Sequence, residues 1–290
     1  MPKSGFLLID KPTGITSFDV VRDVKRSMGE KKVGHSGTLD PLATGLMLVA
    51  LGEATKLLEY LIGCNKEYVV KAEFGKVSDS YDRDGEISDG NQCPLPPFHE
   101  GNLREKIQHL LDAHFSGSIS QLPPKYSALK IGGKRACDLM REGKEVELKA
   151  RQVMIFETEI VGWQWPFVDI RVACGAGTYI RSLVHDLGQN LGCGAYVKEL
   201  RRTKIGEFSV EEVSEELISL EDLCRRCFEC HELSDSEWIG LQDGKILQPE
   251  SAVQKKCSSG VVIAFYEGKV VGVLEAVNGG VKFRKRIFSS

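Results

Sequence analysis

The sequence predicts an α+β fold: a mixed β-sheet carrying helices, followed by a small all-β module at the C-terminal end. Three observations lead there. Short apolar runs with strand character are interspersed with segments whose apolar residues recur at helical spacing. Near the C-terminal end, two β-rich runs flank Glu267-Gly268, the pattern of a hairpin. The chain's 290 residues, 42% hydrophobic and 27% charged, suffice for one large core with an appendage.

Residues 5–10 open the chain as a buried strand that breaks at Asp10-Lys11-Pro12. Thr16-Ser17-Phe18-Asp19 has capping-box spacing, so a helix follows with Val20, Val21, Val24 and Met28 on one face. Residues 46–51 are apolar and residues 67–74 strand-like, whereas residues 78–91 form a polar connection rich in Gly and Asp. Asn102-Leu103-Arg104-Glu105 reads as the cap of a helix whose core stripe is Leu103, Ile107, Leu110, Leu111 and Phe115. Residues 116–149, with Pro123-Pro124, Gly132-Gly133 and many lysines, form a long excursion, and such excursions from compact domains are often functional. Residues 153–161 and 167–173 pair as strands, and a Gly-rich turn at Gly175-Ala176-Gly177 leads into a helix ending near Gly192. A Cys-rich linker at residues 224–231, inside the acidic stretch 209–237, precedes the hairpin of residues 261–266 and 269–277, which Gly279-Gly280 and a basic strand complete.

Composition narrows the function classes. No apolar run approaches the ~20 residues of a membrane-spanning helix, and the start has no small-residue cleavage signal, so a cytoplasmic protein is expected. The net charge of −3 argues against a general affinity for phosphate, but the charge is uneven. Acidic residues gather in 209–237 and basic ones in 125–151, 198–204 and 282–286, which allows a basic track for RNA on an acidic body. Nine cysteines, an odd number, fit reduced thiols better than a disulfide framework. Cys224, Cys227, Cys230 and His231 have spacings that suit zinc or C-x-x-C-H haem attachment, yet they crowd together without a separated second pair of ligands. An amphipathic linker helix that carries thiols is the preferred reading, and no metal is expected.

The most informative stretch is Gly34-His35-Ser36-Gly37-Thr38-Leu39-Asp40-Pro41-Leu42-Ala43-Thr44-Gly45. Pro41 pushes Asp40 out of the helical region, and the glycines permit turns and close approach of another molecule, so one carboxylate is presented in a loop. An Asx-turn ahead of a helix would look the same. Arg181 falls in the first turn of its helix, where a cation is unfavourable, so it is expected to face a carboxylate or phosphate.

Seven blocks together resemble the TruB-type tRNA pseudouridine synthases: Asp10-Lys11-Pro12-Thr13-Gly14-Ile15-Thr16-Ser17, the Asp40 loop, Gly52-Glu53-Ala54-Thr55-Lys56, Lys66-Glu67-Tyr68, Tyr126-Ser127-Ala128-Leu129-Lys130, Gly177-Thr178-Tyr179-Ile180-Arg181-Ser182-Leu183, and Leu200-Arg201-Arg202-Thr203-Lys204-Ile205-Gly206-Glu207-Phe208. The C-terminal module is similar to a short RNA-binding PUA domain. The resemblance implies a pseudouridine synthase catalytic domain over residues 1–235, with a tRNA-binding insertion at 116–149, and a PUA-like domain over residues 236–290.

It further implies isomerisation of uridine 55 in the TΨC loop of tRNA by base flipping, without cofactor, in a monomer with no obligate protein partner. Asp40 would be the nucleophile, and Arg181 its partner, lowering its pKa and so keeping it ionised. Tyr68 would stack on the target base. His35 would fill or buttress the vacated space, Tyr179 and Leu200 would border the base, and Lys11 and Pro12 would support the loop. Lys125 and Lys130, with Lys134 and Arg135, are the expected phosphate contacts. The rival reading is a tRNA-binding or tRNA-folding protein whose catalysis is incidental.

Overall fold

The computed structural model describes residues 4–90, 100–127, 129–142, 147–247, 257, 260–278 and 280–287; for residues 100, 101, 130, 131, 134, 135, 137, 138 and 141 it describes the backbone alone. Strand β1 (Gly5–Lys11) leads to helix α1 (Ser17–Met28), then to β2 (Val33–His35) and β3 (Thr44–Leu51). The short helix α2 (Leu58–Leu61) precedes β4 (Lys66–Phe74), a small ribbon of β5 (Lys76–Ser78) and β6 (Ile87–Asp89), and helix α3 (Glu100–His114). Next come β7 (Gly117–Gln121), the two-residue strands β8 (Lys130–Ile131) and β9 (Lys134–Arg135), and α4 (Ala136–Arg141). The hairpin of β10 (Arg151–Gln164) and β11 (Phe167–Cys174), helix α5 (Ile180–Leu191), β12 (Ala195–Ile205) and β13 (Phe208–Ser209) complete a nine-stranded mixed sheet. Its order is β1-β3-β12-β4-β11-β10-β7, with β2 on β3 and β13 on β12.

The near-continuous apolar runs of β1 and β3 follow from burial on both faces. Leu7, Met47, Val49 and Leu51 join one core beneath α1, α3 and α5, while Phe6, Leu8, Leu46, Leu48 and Ala50 join another on the opposite face. Helix α1 starts where its capping box requires: Asp19 N–H donates to the Thr16 hydroxyl, and the Asp19 carboxylate accepts from Thr16 N–H at 2.9 Å.

Two expectations need correction. Asn102 is not a cap, because α3 already begins at Glu100. The Cys-rich segment inside residues 209–237 is not a linker either. Residues 209–237 contain helix α6 (Leu220–Cys227), strand β14 (Glu229–Glu232) and the start of helix α7 (Asp235–Gln242). Leu220, Leu223 and Cys224 are buried against Phe6 and Leu8, and Phe6 and Ile218 exchange backbone hydrogen bonds at 2.9 and 2.8 Å. Widely spaced apolar residues, each placed on an inward face, outweigh the acidic composition here.

The C-terminal all-β region is a four-stranded sheet of β14, β15 (Val262–Tyr266), β16 (Lys269–Val277) and β17 (Gly280–Arg286). Strand β15 is buried on both sides: Ile263 and Phe265 pack into the core shared with β1 and β3, and Val262 and Ala264 into a smaller core with Leu233, Leu241 and Val281. Among the described residues, no helix is long and apolar enough to cross a membrane.

Candidate active site

The loop carrying Asp40 joins β2 to β3 and is pinned from behind. Leu39 N–H donates to the Ser17 hydroxyl at 2.8 Å, which donates back to Leu39 O at 3.0 Å. Buried Lys11 donates from Nζ to Pro12 O (2.9 Å), Ile15 O (2.8 Å) and Pro41 O (3.3 Å). Gly14 N–H also donates to Pro41 O, at 2.8 Å, and the Thr13 hydroxyl to Leu42 O at 3.0 Å. With Leu39, Leu42 and Ala43 buried as anchors, the Asp40 side chain turns toward Arg181 and is half-buried, 34% exposed.

At the other end of the loop, Gly45 holds φ at 105°, and a Cβ there would lie 2.2 Å from Arg202 O. Only glycine lets β3 approach β12 this closely. That contact seats the buried Arg202 guanidinium beneath the loop, donating from Nε to Leu46 O (2.7 Å) and from Nη2 to Gly37 O (3.1 Å).

Arg181 stands at the start of α5 and meets two carboxylates. Its Nε lies 2.9 Å from Asp40 Oδ2, and its Nη1 lies 3.0 Å from Asp82 Oδ2. Two carbonyls complete its surroundings: Nη1 donates to Ser80 O (3.0 Å) and Nη2 to Tyr126 O (2.8 Å). Asp82 is itself only 5% exposed and accepts from the Ser80 hydroxyl (2.6 Å) and Asp84 N–H (3.0 Å).

The electrostatics correct one expectation. Burial raises the Asp40 pKa, Arg181 pulls it back, and Asp82 raises it again, so the carboxyl ends above its ordinary value rather than below it. A guanidinium shared between two acids offsets only part of the desolvation. Burial also raises the Tyr68 phenol, against the pull of Arg202, and lowers His35, a shift that Arg202 reinforces. His35 therefore stands neutral at pH 7, with Nδ1 accepting from Gly37 N–H at 3.2 Å.

Asp40 and Arg181 lie between two clefts. The first, about 300 Å³, is lined among others by Tyr68, Tyr179, Leu200, Lys66 and Arg202. The second, about 740 Å³, is lined by His35, Phe18, Tyr126 and several acids including Asp82. Thus the fold gathers Asp40, Arg181, Tyr68, Tyr179 and Leu200 at one cleft and puts His35 across the ion pair from them. Lys11 and Pro12 lie behind the loop, outside both linings. Lys125 is exposed and lines neither cleft, and the side chains of Lys130, Lys134 and Arg135 lie outside the described residues.

Sequence reasoning missed Asp82, which nothing local distinguishes from its acidic neighbours. It also missed Arg202 as a site residue, although a period-two reading of β12 would have placed Arg202 on the face of Leu200.

The Cys224–His231 stretch is divided between α6 and β14 instead of lying on one helix. Burial raises the Cys224 thiol beyond the range of useful reactivity and pushes the Cys227 thiol up to about 12. Among the described residues, no group of three or more His, Cys, Asp or Glu side chains is placed to hold a metal ion.

Residues 25–180 match the TruB family pseudouridylate synthase (N terminal domain), and residues 181–253 match the tRNA pseudouridylate synthase B C-terminal domain. The chain belongs to the TruB pseudouridylate synthase family. Among its relatives in that family, tRNA pseudouridine synthase B of Clostridium tetani is 36% identical over 97% of this chain and 99% of its own length. The synthase of the same name from Clostridium acetobutylicum is 46% identical over 76% of this chain and 72% of its own. The fold is similar to that of a chain in an H/ACA RNP bound to a substrate RNA containing 2'-deoxyuridine, with TM-score 0.68 and 22% identity over 98% of this chain and 85% of that one. A chain in a Cbf5-Nop10-Gar1 complex gives TM-score 0.61 and 26% identity over the same shares of the two chains, 98% and 85%.

Proposed function

We propose that this TruB-family pseudouridine synthase isomerises uridine 55 in the TΨC loop of tRNA to pseudouridine, with Asp40 as the nucleophile, a flipped base and no cofactor. The observation that carries the reading is the Asp40–Arg181 ion pair at 2.9 Å, on the wall of a cleft that also presents Tyr68 and Leu200. The substrate follows the name of its full-length relatives, tRNA pseudouridine synthase B.

The reaction breaks the N1–C1′ bond, turns the uracil and forms a C5–C1′ bond. The C5 proton leaves and N1 gains one, so no oxidant or reductant is consumed. Ionised Asp40 adds to the sugar or the base, and Arg181 orients the carboxylate and keeps part of its charge stabilised. Drawing the uridine out of its stack costs a few kcal/mol, and stacking on the Tyr68 ring returns about 1–3 kcal/mol. Because burial raises its pKa, Tyr68 serves first as a stacking surface rather than a free base. Neutral His35 buttresses the space the base leaves, and Tyr179 borders the bound uracil. Lys11 and Pro12 keep the loop in place. Lys125 and Lys130 contact phosphates, and the C-terminal sheet acts as a PUA-like grip on tRNA. The protein works as a cytoplasmic monomer.

Tritium release from tRNA labelled at uridine C5 tests this. Release from the natural transcript, abolished when position 55 is changed to cytidine, is the expected result. Release unaffected by that change would overturn the assigned position.

A further inference from the structure

Tyr81 holds a left-handed backbone conformation, φ 66°, rare for a residue with a bulky side chain. Such strain persists only where the surroundings over-determine it. Three backbone hydrogen bonds do part of this: Tyr81 N–H donates to Ser78 O (3.1 Å), Val197 N–H to Tyr81 O (3.0 Å), and Arg83 N–H to Val197 O (3.0 Å). The ring does the rest, stacked on His185 with centroids 3.8 Å apart and planes 12° from parallel.

The placement of the two rings gives the stack its meaning. Tyr81 directly precedes Asp82, and His185 lies one helical turn beyond Arg181 on the same face of α5. The same two segments are therefore joined twice, ring on ring at 81–185 and carboxylate on guanidinium at 82–181. His185 Nδ1 is buried without a hydrogen-bond partner among the described residues, so no bond at that nitrogen competes with the stack in setting the ring's orientation. The Asp186 carboxyl, pushed up to about 6 by burial, is the charged group felt by the Tyr81 phenol.

We infer that Tyr81 and His185 are a positioning pair that fixes how Arg181 is shared between Asp82 and Asp40. The inference rests on Asp40 being the reacting carboxylate. Without the stack, residues 81–83 relax, Asp82 withdraws, and Asp40 is left as the carboxylate that the guanidinium serves. Asp40 then loses a neighbouring negative charge and no longer shares its cation, so its pKa falls.

The test uses Tyr81→Gly, which accepts the backbone angle without the ring, and His185→Ala, which leaves residue 81 unaltered. Both should lower kcat roughly 10- to 100-fold while KM changes little, as expected for a misplaced reacting group. Both should also move the Asp40 carboxyl titration, followed by 13C NMR in the absence of RNA and assigned with Asp40→Asn, to lower pH. Tyr81→Phe and His185→Phe keep a ring pair and should restore both readouts. An unmoved titration in the two ring-less variants, or a rise in KM with kcat intact, overturns the inference. Because the titration needs no turnover, an absence of tritium release by the unaltered protein would count against the proposed function alone.

Discussion

One guanidinium serves two carboxylates, and the consequences are local and measurable. Arg181 is 5% exposed and holds Asp82 as well as Asp40. Arg181→Met should leave the buried Asp82 unpaired and destabilise the fold by about 3–5 kcal/mol at neutral pH. Urea denaturation at pH 7 measures this. Asp40 should show the opposite sign. Its folded pKa is raised, so the folded protein binds that proton more tightly than the unfolded chain. The resulting stabilisation is complete below the unfolded carboxylate pKa and is lost as pH rises through the folded one. Asp40→Asn should therefore raise the Tm at neutral pH, with a smaller gain in acid, while turnover is lost. A lower Tm at neutral pH would mean that Arg181 outweighs desolvation. The reach of Asp40 was legible because Pro41 and the flanking glycines mark a presented loop; its pKa direction was not, since that depends first on how deeply the fold buries the carboxyl and then on Asp82, 42 positions along the chain.

At the scale of elements, the site depends on how α1, β3 and β12 hold one loop. Ser17, buried at the start of α1, accepts from and donates to the backbone of Leu39. Ser17→Ala would leave both Leu39 groups unpaired and should cost about 1–3 kcal/mol. Turnover should fall beyond what the lost folded fraction explains, since Leu39 adjoins Asp40; thermal melts and kcat on the same preparation separate the two effects. Gly45→Ala should be harsher, because its Cβ would meet the Arg202 backbone rather than a flexible side-chain end. Helix α1 was readable because a capping box is a local signal. Strand β12 was not: residues 198–204 look like a charge cluster, yet Arg202 is 1% exposed. A buried arginine satisfied by carbonyl oxygens puts a charge on the inward face, so the alternation shows only when Arg202 is counted as inward with Leu200.

For the whole molecule, the core around Phe6 and Leu8 extends through α6 to Ile263, Phe265, Val273 and Ile287, tying the C-terminal sheet to the nine-stranded one. Shared apolar burial of this kind couples the stabilities of the two regions. Trp163 and Trp165 report on the large sheet and Trp238 on the C-terminal core. Fluorescence of variants retaining only one set should therefore follow coincident unfolding transitions, and separate midpoints would show that the regions unfold independently. The sequence blocks made the order of the catalytic elements legible, whereas the packing of residues 209–237 between the sheets was hidden by their acidic composition. The central claim, that Asp40 performs the chemistry, is tested most directly by single-turnover tritium release from C5-labelled tRNA by Asp40→Asn, with tRNA binding measured on the same preparation. Release at background with binding retained is the predicted result; release at the unaltered protein's rate would contradict the account.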